Sequence, residues 1–350
     1  MAYTTINKGT DYFNTKLYTG NSSTQSITGV GFQPDWVWIK ERSGSEHHSL
    51  YDAVRGATKE IASNRTNVES TVSTSLTGFD SDGFTLGSWS RTNNNNDTHV
   101  SLNWKANGAG SSNTYGNITS TVSASTTSGF SIVKWTGTGS NPSTVGHGLG
   151  AVPKMIIIKN LDQGTDWQVY HASTGNTKGL LLNTTAAAFT SSFWGNTTPT
   201  NSVFTLGVGD VNTNNINYIA YCFAEKTGYS KFGKLISNGL DDNTFTYTGF
   251  APKLVILKPN VTDGWSHWYM FDTARDTNLN DKPLYANLNT QEAYYGGSPA
   301  TDYAQMDILS NGFKIRRDGN WGGGGSGKEL LYMAFGQSLV GSNGVTAKAR

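Results

Sequence analysis

The stretch GFQPDWVWIK, Gly31–Lys40, decides how this chain is read. A strand with one face in water alternates apolar and polar side chains. Trp36, Val37, Trp38 and Ile39 do not alternate, and an unbroken apolar run says that both faces are covered. One face belongs to the core of a sandwich. The other must meet a helix, a neighbouring unit or another chain. The sequence offers no amphipathic helix of useful length; SLYDAVRGATKEIASN, Ser49–Asn64, has room for one short turn. Close packing between units, between chains, or both is therefore expected.

The stretch also recurs. GLGAVPKMIIIK (Gly148–Lys159) and GFAPKLVILK (Gly249–Lys258) carry the same Gly, Pro and apolar run closed by Lys. Upstream, Phe13, Phe130 and Phe232 each precede a glycine by seven residues (Gly20, Gly137, Gly239). Downstream, Tyr51 and Tyr170 follow the closing lysine by eleven residues and Phe271 follows it by thirteen. Blocks centred on Phe84, Phe204 and Phe313 come next, then blocks ending on Trp104, Phe223 and Phe335. Five blocks in one order, three times, read as an internal repeat of about 100 residues, the size of a small β-sandwich. The expected organisation is a repeat over 1–108, a polar linker over 109–129, a repeat over 130–228, and a third repeat with a C-terminal tail over 229–350. The Asn- and Gly-rich runs Asn93–Asp97, Asn212–Asn217 and Gly322–Gly327 read as hairpin tips before each last strand.

Composition agrees with an all-β, antiparallel protein. Of 350 residues, 41 are Gly, 36 % are hydrophobic, 12 % aromatic and only 15 % charged. Polarity comes from Ser, Thr and Asn, and aromatics supply the buried area that aliphatics do not. A net charge of +1 without a basic patch gives no electrostatic footing for nucleic acid. Cys222 stands alone, so no intrachain disulfide forms, which suits assembly in a reducing cytoplasm. The N-terminal MAYTTINKGT lacks the charged and apolar regions of a secretion signal, and no run reaches the 18 apolar residues of a membrane span.

Motifs of chemistry dissolve on inspection. GGGGSGKEL (Gly322–Leu330) resembles a phosphate loop but has Glu329 where Ser or Thr is required, and it runs into a strand. DSDG (Asp80–Gly83) lacks the later ligands of a calcium loop and reads as a β-turn. The six histidines have no metal-ligand spacing. No carboxylate pair suits glycoside cleavage, and Cys222 sits in an apolar strand, the setting of an inert thiol. No catalytic residue, metal or cofactor is therefore assigned. The candidates for binding are aromatics among turn residues: Trp89, Trp194, Trp265 and Trp321, with Asn94 and Asn95 beside the first. An exposed ring stacks on a sugar face while amides bond its hydroxyls.

YFNTKLYTGNSSTQSITGVGFQPDWVWIK, LYDAVRG, GFDSDGFTLGS, WKANGAG, VGHGLGAVPKMIIIKN, YIAYCFAEKTGYSKFG and LSNGFKIR resemble virion structural proteins of tailed phages, above all marine phages and cyanophages. The resemblance runs from Asp11 to Arg350. It implies lectin-like (concanavalin A-like, jelly-roll) domains and a place on the virion surface after assembly in the host cytoplasm. It also implies a non-catalytic tail-fibre or receptor-binding role, with other virion proteins and a host-surface glycan as partners. A homo-oligomer is expected from the doubly apolar strands, and a homotrimer by analogy with phage fibres. The first repeat begins by Phe13 and no heptad stalk follows. A capsid decoration protein is thus the alternative, and a carbohydrate-active enzyme on the same scaffold a further one. The family brings no ligand residues.

Overall fold

The computed structural model of the chain describes residues 4–207, 209–276, 279–280, 282–293, 305–316, 325–338 and 340. In the first unit, β1 (Phe13–Thr19), β2 (Trp36–Glu41), β3 (Ser49–Asp52) and β4 (Thr98–Trp104) form an antiparallel sheet in the order β1-β4-β2-β3. The same order returns with β5 (Phe130–Thr136), β6 (Pro153–Asn160), β7 (Gln168–His171) and β8 (Asn217–Ala224), as β5-β8-β6-β7. It returns again with β9 (Ser230–Ile236), β10 (Ala251–Pro259), β11 (Tyr269–Asp272) and β12 (Glu329–Gln337), as β9-β12-β10-β11. Each of these inner sheets is backed by a smaller outer one. Its strands are 25–28, 76–80 and 83–86 in the first unit, 143–146 and 203–206 in the second, and 245–247, 279–280, 306–309 and 312–315 in the third. The fold is all-β sandwich.

The strand register explains the doubly apolar runs. Val37 and Ile39 pack into the sandwich of the first unit with Ile27, Phe84 and Leu86. Ile156 and Ile158 do so in the second unit, and Val255 and Leu257 in the third. The alternate residues, Trp36 and Trp38, Met155 and Ile157, Leu254 and Ile256, all enter one central core shared by the three units. Aromatics from all three meet there. Trp36 stacks on Tyr221 at 4.2 Å and lies 4.5 Å from Trp104, while Phe335 lies 5.5 Å from Phe13 and 5.7 Å from Phe223. Each large ring buries on the order of 150–250 Å², roughly 4–6 kcal/mol at about 25 cal/mol per Å² before the entropy of ordering is counted. The apolar face that called for a partner is thus covered by sibling units of the same chain, and the doubly apolar runs are accounted for without a second copy.

The units are joined in a cycle, each contributing the same kind of contact. Trp167 donates its indole N–H to Ala62 O and Arg65 O of the first unit, and Trp268 donates to Leu181 O of the second. The matching position in the first unit is His48, whose Nε2 reaches Tyr285 O (2.9 Å) and Leu288 O (3.0 Å) of the third. Trp38 donates to His48 Nδ1, so the imidazole is neutral with its proton on Nε2. The backbone follows the same circuit. Glu69 N–H bonds Leu161 O, Ala188 N–H bonds Asn260 Oδ1, and Glu292 N–H bonds Arg42 O. An Arg42–Glu292 ion pair reinforces the third seam. There residues 7–9 also meet the end of β12: Gln337 accepts from Gly9 N–H and donates to Asn7 O. A side chain at Gly9 would overlap the carbonyl of Gly336.

Three expectations need correction. Residues 109–129 are not a bare linker: 111–113 and 120–125 are strands that extend the second inner sheet beyond β5. Their Ser and Thr residues have too little apolar bulk to read as strands, but β5 offers an open edge of backbone groups that they satisfy. Asn93–Asp97 and Asn212–Asn217 are not hairpin tips; they carry the chain from the outer sheet to β4 and β8 of the inner one. Gly322–Gly324 of the third such run lie outside the described residues. Phe232 is not the register partner of Phe13 and Phe130: Ser230 stands opposite Phe335, and Phe232 faces Met333 two residues on.

Candidate binding surface

Trp89 precedes the four-residue helix Ser90–Asn93 and accepts the amides of Thr92 and Asn93. Its ring is half-buried against the first sandwich and is covered by the Arg91 guanidinium 4.5 Å away, so it is not an open platform. Asn94 and Asn95 are exposed beside it. Asn94 donates to Asp97 Oδ2, and the backbone N–H of Asn95 donates to Ser22 Oγ.

Trp194 corrects the sequence reading. It is only 1 % exposed, its indole N–H donates to Lys178 O, and its ring meets Tyr170 edge-on in the second sandwich. Turn residues surround it in sequence, yet the turn folds the ring inward, because an indole left in water forgoes its burial energy. Trp265 does stand out, at 61 % exposed, on a turn pinned by Asp263. Its carbonyl accepts the Tyr269 hydroxyl at 2.6 Å. Trp321 lies outside the described residues. The first-unit candidates therefore share one corner, and Trp265 belongs to the third unit. Tyr115 and Tyr247, at 67 % and 54 % exposed, are open aromatics that sequence reasoning passed over.

The residue that matters most at the first corner is Asn93, which is fully buried. Its Nδ2 donates to Ser23 O and Gly87 O, its Oδ1 accepts from Asn21 N–H, and its carbonyl accepts from Ser22 N–H. Asn212 repeats this with Ser140 O, Thr138 N–H and Gly139 N–H. Gly20 is required alongside, because a Cβ there would collide with Asn94 O. Asp82, in the DSDG turn, spends its carboxylate on the amides of Gly29 and Gly31, and these bonds lower its pKa.

Groups with chemical potential are likewise bound into the framework. Burial pushes His48 down to about 3 and His99, His147 and His171 down to about 4, so each is neutral at pH 7. His171 Nε2 reaches Tyr332 O in the third unit. Asp52 is fully buried, with Arg55 at 2.5 Å and the hydroxyl of Tyr221 from the second unit at 2.8 Å. Burial drives the Cys222 thiol upward. The three lysines that close the apolar runs are buried too, and desolvation brings Lys40 and Lys159 to about 8 and Lys258 to about 7. Their ammonium groups donate to backbone carbonyls, those of Lys159 and Lys258 reaching Thr66 O and Thr185 O of the preceding unit. Among the described residues, no cluster of three or more His, Cys, Asp or Glu could hold a metal ion, and no helix is long and apolar enough to cross a membrane.

Among the described residues, open grooves lie at two of the seams. One, of about 280 Å³, lies where Val54 of the first unit faces β5. The other, of about 240 Å³, lies where Thr273 and Ala274 of the third unit face Phe13–Thr15 in β1. The positions correspond: Val54 and Ala274 each follow the β3-type strand, between Asp52 and Arg55 or Asp272 and Arg275.

The match to known families spans the whole described architecture. A family model described as a domain of unknown function, DUF7483, matches residues 8–338. The chain belongs to the DUF7483 family. Its span takes in all three units and both grooves. Among proteins of curated function, none matches the chain.

Proposed function

We propose that this DUF7483 chain is a non-catalytic surface component of a tailed-phage particle, a tail-fibre or receptor-binding part that presents a rigid face to host glycans. The observation that carries the reading is where the reactive groups go. The buried histidines, Cys222, the Asp52–Arg55 pair and the three closing lysines are engaged in framework contacts, several of them between units. What faces solvent includes the exposed Trp265, Tyr115 and Tyr247 and two seam grooves, features suited to recognition. The resemblance to virion proteins supplies the setting.

A capsid decoration protein is the second reading, favoured by the cyclic arrangement of three like units, which suits a threefold position of a shell. Cryo-EM of the particle separates them: density at the tail supports the first, and icosahedral copies on the head overturn it. Release of reducing sugar from host envelope polysaccharide by the purified protein would overturn the non-catalytic part. A homotrimer remains a separate proposal, read by light scattering of the purified chain.

A further inference from the structure

The groove at the first seam contains a lysine whose counterpart elsewhere in the chain is neutralised. Lys134 on β5 corresponds to Lys234 on β9, each four residues into its strand. Lys234 is paired with Glu329 at 2.6 Å. Glu329 stands opposite Ile236, and the residue at that place in the second unit, opposite Thr136, is the neutral Asn217. Asn217 is engaged with Thr136 Oγ1 and Asp162. Lys134 itself is half-buried, and its ammonium has no hydrogen bond or ion pair among the described residues. The first unit has neither charge, with Leu17 and Thr98 in the two places. One copy of the position thus keeps the cation and lacks the carboxylate.

The wall facing that cation is also specific to the second unit. Strands 111–113 and 120–125 add Ser112 and Thr121 to the groove, Thr119 joins them from the loop between, and Val54 closes it from the first unit. The side-chain hydroxyls of Ser112, Thr119 and Thr121 make no hydrogen bond among the described residues. A concave site with one unpaired cation, several free hydroxyls and one apolar side chain matches a ring that carries an anion, hydroxyl groups and a C–H face. We infer that this groove binds a sugar bearing an oxyanion, a carboxylate, sulfate or phosphate, with Lys134 on the anion and the wall hydroxyls on the ring hydroxyls. The inference rests on the glycan-facing reading above and names its ligand class.

The test titrates the full-length chain with glucuronate, glucose 6-sulfate, glucose 6-phosphate and glucose, by calorimetry or chemical-shift change. At least one anionic sugar is expected to bind about tenfold more tightly than glucose, the size of one charge-assisted hydrogen bond, and the three anions rank the oxyanion. Lys134→Gln removes that preference, Lys234→Gln keeps it, and Thr121→Ala weakens all four sugars without changing the melting temperature. Equal binding of glucose, an intact preference in K134Q, or equal loss in K234Q overturns the site. Host-cell adsorption is read separately. Anionic sugars binding through Lys134 while K134Q particles adsorb normally leaves the site standing and removes the host-contact role. Adsorption with no sugar preference does the reverse.

Discussion

Lys258 offers the sharpest test of the seams. Its ammonium is buried and donates to Thr185 O of the second unit at 3.1 Å, Pro259 O at 3.1 Å and Ser266 O at 2.6 Å. Desolvation holds its pKa near 7 in the fold against 10.5 in an unfolded chain. Between those values the unfolded state holds a proton that the folded state has released. Stability therefore rises with pH there, at about 1.4 kcal/mol per unit for one such group. From pH 7.5 to 9.5 this amounts to roughly 2 kcal/mol from Lys258 alone; the three carbonyls favour the charged form and act against a larger gain. Lys258→Met keeps the length and the apolar stem but cannot titrate. Urea unfolding of both proteins, followed by tryptophan fluorescence at pH 7.5, 8.5 and 9.5, cancels the contributions of Lys40 and Lys159. The stability gap should widen by roughly 2 kcal/mol in favour of the native chain. A gap constant to about 0.5 kcal/mol would show that the carbonyls keep Lys258 charged throughout, and the reasoning would fail. The window stops at pH 9.5 because burial raises Tyr18, Tyr221 and Tyr229, so stability falls once unfolded tyrosines ionise.

Acid should act in the same sense through the histidines, lowering stability as protons bind the unfolded chain. His48, His99, His147 and His171 resist protonation in the fold but take protons at about 6.5 when unfolded. Each then contributes up to about 3 kcal/mol that is lost as pH falls from 6.5 towards 4, and a melting temperature unchanged from pH 7 to 5 would count against their burial. At the first corner, Asn93→Ala should cost about 2–4 kcal/mol by stranding buried partners, whereas Asn94→Ala should stay within about 0.5 kcal/mol; equal effects in chemical denaturation would contradict the assignment.

The fold was legible where a residue's role depends on its own neighbours in the strand. WVWI, MIII and LVIL announce two covered faces, and the structure fills one with a sandwich and the other with sibling units. Roles set by distant partners were not legible. Nothing local distinguishes Asn93, which ties the loop at 21–23 to Gly87, from the exposed Asn94 beside it. Trp194 and Trp265 both sit among turn formers, and only the packing of Tyr170 and Lys178 against the first separates them. Lys40, Lys159 and Lys258 looked like polar ends of strands; their burial depends on carbonyls that arrive from loops, two of them in another unit. Periodicity likewise cannot say whether a loop joins paired neighbours or changes layer, which is why the corners read as hairpins.

Two of the three seams are crossed by continuous backbone, through residues 105–129 and 225–229, and the third by the Gly9–Gln337 contact, His48, Glu292 and Arg42. The ring is therefore a bracelet with one clasp. Tension drawn between residues near 7 and 338 loads that clasp first, shearing its hydrogen bonds, its ion pair and the Phe13–Phe335 contact before any covalently bridged seam bears strain. The same molecule gripped at residues 105–129 and 225–229 would carry the load through the second unit alone and leave the clasp slack, so its resistance to force depends on where it is held.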